Sequence, residues 1–266
     1  MQDLNSAVNP TVPHPRCIIA GLGVDAVTYD SVTAAVLGWA RGRESRYVAA
    51  ASVNNAMEAV DSTEFRHVMS GASLVTPDGM PLVCGLRFLG HKNAVRVYGP
   101  DLMLAVVGRA EREGLAIGLY GATEQTLALL RTNLLRRYPR LRIAYCFAPP
   151  FRELTAAEDG QVVLDIGQSG ARILFVGLGT PKQERWMAAH RGRIPAVMLG
   201  VGAAFDFLAG VKPQAPRWMM RMGLEWLFRL ATEPRRLWRR YLFQNPRFVL
   251  LFLMQLLGLK RFSSVP

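Results

Sequence analysis

The sequence lacks the short motifs that identify several common enzyme classes. It has no P-loop, no H-E-x-x-H and no G-x-S-x-G pattern, so P-loop nucleotide hydrolysis, zinc proteolysis of that type and α/β-hydrolase chemistry are not expected. Its aspartates never stand two apart, so the D-x-D element that often holds Mg²⁺ or Mn²⁺ is missing. Its four histidines are scattered, at positions 14, 67, 91 and 190. We therefore expect no metal cofactor.

Cysteines are also few. Cys17, Cys84 and Cys146 lie far apart in apolar stretches and form no C-x-x-C pair. This pattern predicts free, buried thiols in a reducing compartment.

The N-terminus has neither a basic segment followed by an apolar one nor any clear periodicity. Residues 1–16 are polar and contain three prolines. We expect an unstructured arm here, no signal peptide and a cytoplasmic protein.

A long hydrophobic run is absent as well. The most apolar segment, FVLLFLMQLLGL at residues 248–259, has twelve residues and contains Gln255. A membrane-spanning helix needs about 20 apolar residues. The segment therefore predicts a helix that lies at a membrane surface rather than one that crosses the bilayer.

The positive charge is concentrated at the C-terminal end. The whole chain has a net charge of +12, but residues 211–266 contain eleven Lys or Arg and only two acids, a net charge of +9. The rest of the chain is nearly neutral. We therefore divide the sequence into a core at 17–210 and a basic C-terminal appendage at 211–266.

Within the core, short apolar runs alternate with helical patterns. The predicted strands are residues 17–23, 47–53, 73–77, 115–121, 141–147, 172–179 and 196–202. Strands that alternate with helices indicate βαβ units and a parallel sheet. The expected fold is α/β, a Rossmann-like, mostly parallel sheet with flanking helices, followed by a helical appendage. Ligands of such sheets bind beyond the carboxyl ends of the strands.

The loop GLGTPKQE, at residues 177–184, follows a predicted central strand. Gly177 and Gly179 allow a tight turn and a close backbone approach. A helix that begins beneath glycines offers free N–H groups to a phosphate, and Lys182 adds a positive charge. The loop therefore predicts a phosphate site.

The same loop has a purely structural interpretation. Thr180 can be the N-cap, Pro181 suits the first helical position, and Gln183 completes a T-x-x-Q capping box. Spacing alone does not decide between capping and phosphate binding.

Three other strand ends contain polar residues. Asp78, in the sequence PDG, is either a turn residue or a general base. Asp206, between two phenylalanines, is either a helix cap or a substrate ligand. Ser52, Asn54 and Asn55 either cap the next helix or bind a hydroxylated ligand.

One further pattern points to a different class. GLGVDA at residues 21–26 fits the dinucleotide-binding pattern G-x-G-x-x-G/A, with Glu44 downstream. No helix start is evident at residues 24–28, and Tyr29 and Asp30 resemble the cap region of the next helix. This interpretation, a nicotinamide-dependent oxidoreductase, is therefore disfavoured.

Seven segments between residues 76 and 241 together resemble the WecG/TagA/CpsF family of bacterial glycosyltransferases. They are TPDGMPLV, VYGPDLM, GLGTPKQERW, GVGAAFDFLAG, APRWM, GLEWLFRL and EPRRLWRRY. The resemblance implies transfer of a sugar from a UDP-sugar to an undecaprenyl-diphosphate-linked saccharide, with inversion of the anomeric centre. It also implies action at the cytoplasmic face of the plasma membrane, as a peripheral protein that can self-associate.

The resemblance assigns roles to individual residues. The aspartate of PDG, here Asp78, is the implied base, and the glutamine of PKQE, here Gln183, is an implied active-site residue. A T-x-N element corresponds to Ser52 and Asn54, with serine in place of threonine. The donor sugar is not specified by any residue that we identify.

The family's C-terminal appendage binds the membrane and supplies arginines to the sugar nucleotide. By position these are Arg229, Arg236 and Arg239. Spacings of seven and three predict that all three lie on one side of one helix and converge on a diphosphate. The alternative is that they contact only lipid headgroups.

A nucleic-acid-binding protein is the remaining alternative. A calculated pI of 10.3 and arginines interleaved with aromatic residues favour it. The long apolar run beside the basic residues opposes it, because a soluble binder has no reason to expose such a run.

Overall fold

The computed structural model describes residues 14–262. In chain order its elements are β1 (Arg16–Ile19), β2 (Leu22–Asp25), α1 (Tyr29–Arg41), β3 (Arg46–Ala51), α2 (Val53–Asp61), α3 (Thr63–Ser70), β4 (Leu74–Pro77), α4 (Met80–Phe88), α5 (Gly99–Arg112), β5 (Ile117–Gly121), α6 (Glu124–Arg137), β6 (Ile143–Phe147), α7 (Ala156–Ser169), β7 (Ile173–Gly177), α8 (Lys182–His190), β8 (Val197–Gly200), α9 (Ala204–Ala209), α10 (Arg217–Arg221), α11 (Glu225–Thr232), α12 (Pro234–Arg239), a π-helix (Arg240–Gln244) and α13 (Asn245–Leu256).

Six strands form one parallel sheet in the order β4-β3-β8-β7-β5-β6. The two central strands, β7 and β8, are almost wholly buried, which explains why they consist of uninterrupted apolar residues rather than an alternating pattern. The predicted Rossmann-like parallel sheet is confirmed. All the strand ends that were predicted to bear polar residues point to one edge of this sheet.

Helices cover both faces of the sheet. On one face, Met57 of α2, Phe65 of α3 and Leu86 of α4 belong to a single buried cluster. On the other face, Val36 of α1 and Val106 of α5 belong to a second buried cluster. The three layers hold the strands rigidly, so the loops at their carboxyl ends start from fixed positions.

The segment predicted as one strand at residues 17–23 is instead the antiparallel hairpin β1-β2, outside the six-stranded sheet. Ala20 and Gly21 both have positive φ, 46° and 85°, and such pairs make the tight turns of two-residue hairpins. The hairpin is joined to the sheet by Asp25, which pairs with Arg16 and accepts a hydrogen bond from the backbone N–H of Val75 at 2.7 Å.

The same hairpin contains the GLGVDA segment, so its glycines do not precede a helix. The next helix begins at Tyr29, as the sequence indicated, with Thr28 as its N-cap. The geometry of a dinucleotide-binding turn is therefore absent from this part of the chain.

The cysteine prediction was wrong in one respect. All three thiols are free, but Cys84 and Cys146 are exposed and only Cys17 is partly buried. Cys84 lies on the outward face of α4, and Cys146 points away from the core on the edge strand β6. An apolar sequence neighbourhood does not reveal which face of an element a residue occupies.

The C-terminal appendage is helical but broken. α11 ends before Glu233, whose backbone (φ −133°, ψ 56°) is not helical, and α12 begins at Pro234. A residue that precedes proline is driven out of the helical region by the proline ring. The prediction that Arg229, Arg236 and Arg239 share one continuous helix was therefore wrong.

The last helix, α13, packs against the body. Phe248, Leu251 and Phe252 are buried in the cluster beneath α2. Gln255 accepts a hydrogen bond from Ala20 N at 2.8 Å and donates one to Ile18 O at 2.6 Å. The one polar residue in the apolar run thus binds the backbone of the β1-β2 turn.

The opposite face of α13 is exposed and apolar. Its exposed side chains are Val249, Leu250, Leu253 and Leu256, and the π-helix adds Leu242 and Phe243. We call these six residues the apolar face of the appendage. Between residues 14 and 262, no helix is both long enough and apolar enough to span a bilayer.

Candidate active site

A cavity of about 620 Å³ lies at the carboxyl ends of the central strands. Its volume is within the usual range for small-molecule sites. Its walls come from the ends of β3, β7 and β8, from α9 and from the appendage. Its polar and glycine lining residues include Ser52, Asn55, Asp78, Thr123, Gly177, Gly179, Thr180, Gln183, Gly202, Asp206 and Arg229.

The loop between β7 and α8 is shaped by glycine. Gly179 has φ +78° and its missing side chain would point into open space, so the residue is needed for its backbone conformation rather than for packing. α8 begins at Lys182, and Gly179 and Thr180 line the cavity. Pro181 and Lys182 are not among the lining residues, and Lys182 is exposed.

The predicted T-x-x-Q capping box does not form. Pro181, not Thr180, is the N-cap of α8, and no side chain caps it. The Thr180 hydroxyl instead donates to Glu184 Oε1 at 2.9 Å. A buried carboxylate without donors costs more than a helix N–H that faces a cavity, so the hydroxyl goes to the carboxylate.

Glu184 is the centre of a buried polar network that the sequence did not indicate. It is completely buried, and its Oε1 also accepts from Asn55 at 3.1 Å and from Gln183 at 3.0 Å. Burial raises the pKa of the Glu184 carboxyl, while the three side-chain donors oppose that rise. The network ties α2 to α8 beneath the cavity floor.

Gln183 and Ser52 both line the cavity while supporting its walls. Gln183 Oε1 accepts from Gly202 N at 3.0 Å, which holds the β8-α9 loop against α8. Ser52 is the N-cap of α2 and contacts Asn55 Oδ1 through its N–H at 3.0 Å and its hydroxyl at 3.2 Å. Asn55, rather than Asn54, joins this group of hydrogen bonds.

Asp78 follows β4 directly and faces the cavity. Its backbone N–H donates to Ala51 O at 2.8 Å, and its Oδ1 accepts from Gly99 N at 3.0 Å. Burial raises the pKa of the Asp78 carboxyl, Glu225 raises it further, and Arg96, Gly99 and Arg229 oppose the rise. The result is a pKa above the ordinary value for aspartate, which makes the carboxylate a stronger base.

Arg96 and Glu225 flank this carboxylate, and the sequence did not single out either of them. Arg96 donates through Nε to the Asp78 carbonyl oxygen, and its Nη2 lies 2.6 Å from Glu225 Oε2 and 3.9 Å from Asp78 Oδ1. Its guanidinium also stacks over the Tyr98 ring at 4.3 Å. Glu225 is the first residue of α11, so this ion pair fastens the appendage to the site.

Arg229, one turn after Glu225, points into the same space. It lines the cavity with its guanidinium carbon 5.9 Å from the centre of the Phe207 ring. Within residues 14–262 its buried Nε has no hydrogen-bond partner. A buried guanidinium N–H without a partner is the kind of donor that an anionic ligand satisfies.

The other two appendage arginines are not in this position. Arg239 is exposed, lies 5.3 Å from the Trp238 ring centre and is not among the residues that line the cavity. The side chain of Arg236 lies outside the described part of the structure. Of the three predicted arginines, the structure places Arg229 at the site.

Asp206 lines the cavity on the side of α9. Its Oδ2 pairs with Lys212 Nζ at 2.9 Å, so its carboxylate already has a cation. The site therefore holds two acidic groups with different surroundings, Asp206 beside a lysine and Asp78 between Arg96 and Glu225.

A second, smaller cleft of about 120 Å³ adjoins the cavity. The two spaces share Ser52, Asp78 and Arg229. Asn54 lies in the small cleft, and the appendage supplies Glu225, Trp226 and Tyr241 to its wall. The Asp78 carboxylate thus lies at the junction of two spaces.

The chain is similar to known proteins over most of its length. Two similar proteins are N-acetylglucosaminyldiphosphoundecaprenol N-acetyl-beta-D-mannosaminyltransferases. The one from Bacillus subtilis (strain 168) is 29% identical over 212 residues, which is 79% of this chain and 80% of the relative. The one from Bacillus spizizenii is 29% identical over 204 residues, 76% of this chain and 77% of the relative.

The model of the glycosyl transferase WecG/TagA/CpsF family matches residues 17–262, nearly the whole described chain. The match includes both the sheet whose strand ends form the cavity and the appendage that closes it. The chain belongs to the WecG/TagA/CpsF family of glycosyl transferases.

Proposed function

We propose that this protein transfers a sugar from a UDP-sugar to the terminal sugar of a polyprenyl-diphosphate-linked acceptor, with inversion of the anomeric centre. The observation that carries the proposal is the position of Asp78, between two adjoining spaces and beside Arg229. The activities named for the two relatives, with an undecaprenyl-diphosphate-linked acceptor and transfer of an N-acetyl-β-D-mannosaminyl group, support it.

The proposed step is a single displacement. The Asp78 carboxylate takes the proton of the acceptor hydroxyl as that oxygen bonds to the anomeric carbon of the donor. The bond between that carbon and the diphosphate oxygen breaks, and UDP leaves with the electron pair. A base whose pKa is raised by burial is well suited to this transfer, because it holds the proton more strongly than an exposed aspartate does.

The leaving diphosphate needs positive charge. Arg229 is the cation that lines the cavity, and its buried Nε–H can donate a hydrogen bond to a phosphate oxygen. The loop at Gly179 and Thr180 brings the N-terminal end of α8 to the same space, and the positive end of the helix dipole favours an anion there. We assign Arg229, Gly179 and Thr180 to the donor diphosphate, with Pro181 and Lys182 bordering that loop.

The remaining predicted residues receive supporting roles. Gln183 positions the β8-α9 loop at the cavity, and Ser52 and Asn54 line the space on the side of the acceptor. Asp206 is placed to accept a hydrogen bond from a hydroxyl group of the donor sugar, while Lys212 balances the charge of the Asp206 carboxylate. Arg239, which is exposed and lines neither space, is assigned to anionic lipid headgroups rather than to UDP. The predicted role of Arg236, whose side chain lies outside the described part of the structure, stays a prediction.

The transfer itself is tested with a panel of UDP-sugars and an N-acetylglucosaminyl diphosphate lipid. We expect mass spectrometry to show one added sugar with at least one donor, and the same yield in the presence of EDTA, since no metal is assigned to the step. A product with the original anomeric configuration would contradict the single displacement.

Tight NAD(H) binding with no transfer from any donor would favour the oxidoreductase alternative, and retention on DNA without transfer would favour a nucleic-acid-binding protein.

Glu225→Gln tests whether the negative charge of Glu225 raises the pKa of the Asp78 carboxyl. Removing the negative charge beside Asp78 lowers the pKa of that carboxyl, and a freed Arg96 lowers it further. The base then stays deprotonated to lower pH, so the acid limb of the kcat/KM profile for the acceptor should move to lower pH. The rate on the plateau should fall, because the base is weaker.

The matched control is Glu113→Gln, which removes a carboxylate that pairs with Arg41 at 2.7 Å, away from both spaces. Its pH profile should be the same as that of the unsubstituted protein. An acid limb in Glu225→Gln that stays in place, or moves to higher pH, would show that Glu225 does not act on the base.

A further inference from the structure

The small cleft beside Asp78 has two chemically distinct walls. Met80, Pro81 and the aromatic residues Trp226 and Tyr241 form an apolar wall, while Asn54 and the Arg96–Glu225 pair present polar groups. A pyranose ring has the matching distribution, with flat C–H faces and a rim of hydroxyl groups. Pockets for such ligands combine apolar surface with a few placed hydrogen-bonding groups.

The two spaces differ in the size of ligand that they can hold. A closed cavity of about 150 Å³ accommodates benzene, so the small cleft, at about 120 Å³ with an open mouth, matches the ring of one sugar whose substituents extend through that mouth. A nucleotide sugar needs the larger space of about 620 Å³, which also contains the strand-end glycines and the start of α8. The small cleft therefore suits a single sugar, not the donor.

Trp226 is the residue of this cleft that is best placed to hold a sugar. Its ring is 41% exposed and is packed edge-on against Tyr241, with 6.0 Å between ring centres. The contact fixes the orientation of the indole while leaving surface open. Trp226 is also adjacent in the chain to Glu225, so the same turn of α11 supplies an aromatic surface and the partner of Arg96.

We propose that the small cleft is the acceptor-sugar subsite and that Trp226 is the surface on which the acceptor pyranose stacks. This inference rests on the proposed function, because it requires Asp78 to meet the donor from one space and the acceptor hydroxyl from the other. It also makes the appendage part of the acceptor site. Leu227 and Leu242, each next in sequence to an aromatic residue of the cleft, are exposed apolar side chains.

The test is a comparison of Trp226→Ala, Trp226→Phe and Trp218→Ala. Trp218, in α10, is exposed like Trp226 but lines neither space, so it is a matched control. The probe is an N-acetylglucosaminyl diphosphate with a short, water-soluble prenyl chain, which removes membrane binding from the assay.

We expect Trp226→Ala to raise the acceptor KM about tenfold, the size of effect that loss of an aromatic stacking surface produces. The donor KM and the UDP affinity should change less than twofold, Trp226→Phe should recover most of the acceptor KM, and Trp218→Ala should match the unsubstituted protein. An unchanged acceptor KM in Trp226→Ala, an equal rise in the donor KM, or the same rise in Trp218→Ala would overturn the assignment.

Calorimetry with the same probe separates this inference from the proposed function. If the unsubstituted protein transfers no sugar from any UDP-sugar, the proposed function fails, and binding of the probe still tests the cleft. Binding that weakens about tenfold in Trp226→Ala alone supports the subsite. Binding that is equal in all the variants, or absent from the unsubstituted protein, refutes it.

Discussion

Replacement of Asp78 by asparagine should lower kcat by about a thousandfold while leaving the affinity for UDP nearly unchanged. General-base catalysis contributes about 10²- to 10⁴-fold to a rate, and the amide of asparagine cannot accept the proton. Asparagine keeps the size of the side chain and an oxygen for the hydrogen bond from Gly99 N, which is 3.0 Å long in the structure. The loop should therefore keep its shape.

The measurement combines steady-state kinetics with calorimetry of UDP binding. The control is Asp101→Asn, which removes a carboxylate paired with Arg217 at 2.7 Å, outside both spaces, and which should retain full turnover. If Asp78→Asn turns over at the normal rate, Asp78 is not the base. If it loses turnover and UDP affinity together, Asp78 instead shapes the donor cavity.

The strand ends were predictable from sequence because their signals are local. An apolar run such as residues 173–177 is followed at once by glycines and a helical pattern, and a parallel sheet brings all such ends to one edge. Asp78, Ser52 and the loop at Gly179 were found in this way, whereas Gln183 was assigned to the active site by the family resemblance. Their individual hydrogen bonds were less predictable, because Thr180 donates to the Glu184 side chain and Gln183 accepts from Gly202 N, and neither forms the capping contacts that the spacing suggested.

The partners of Asp78 could not be predicted from local patterns. Arg96 and Glu225 are 129 residues apart in sequence and meet only because the start of α11 lies beside Asp78, the residue that follows β4. Glu184 meets Asn55 across the same separation of 129 residues. The helix break at Glu233 does have a local signal, because Pro234 disfavours a helical conformation in the residue before it. The prediction of one continuous helix relied instead on the arginine spacings of seven and three.

The apolar face of the appendage has a direct consequence for membrane binding. Phe248, Leu251 and Phe252 face the core, while Leu250 and Leu253 lie on the other side of the same helix and are 59% and 49% exposed. The surrounding segment carries a net charge of +9. An exposed apolar helix face within a strongly basic segment is typical of a helix that lies in the interface of an anionic membrane.

The double substitution Leu250→Glu and Leu253→Glu should therefore weaken binding to vesicles that contain anionic lipid by about thirtyfold or more. Half-burial of a leucine in lipid is worth about 1 kcal/mol, so loss of two leucines removes about 2 kcal/mol, and the added carboxylates are repelled by anionic headgroups. Thermal stability should change little, because both side chains are already exposed and the buried contacts of α13 are kept. Flotation with vesicles of defined anionic content, together with a thermal unfolding curve, measures both quantities.

The matched control is Leu129→Glu with Leu164→Glu. These leucines are 42% and 57% exposed on α6 and α7, outside the appendage, so the control makes the same change in charge and hydropathy on the body of the protein. If it weakens vesicle binding as much as the appendage variant does, the effect comes from net charge alone and the apolar face is not the membrane contact.

If only the appendage variant detaches, and it still glycosylates the short-chain acceptor, then membrane binding and chemistry are separate functions of one appendage. Glu225 and Trp226 would serve the chemistry, and the outer face of α13 would serve the membrane.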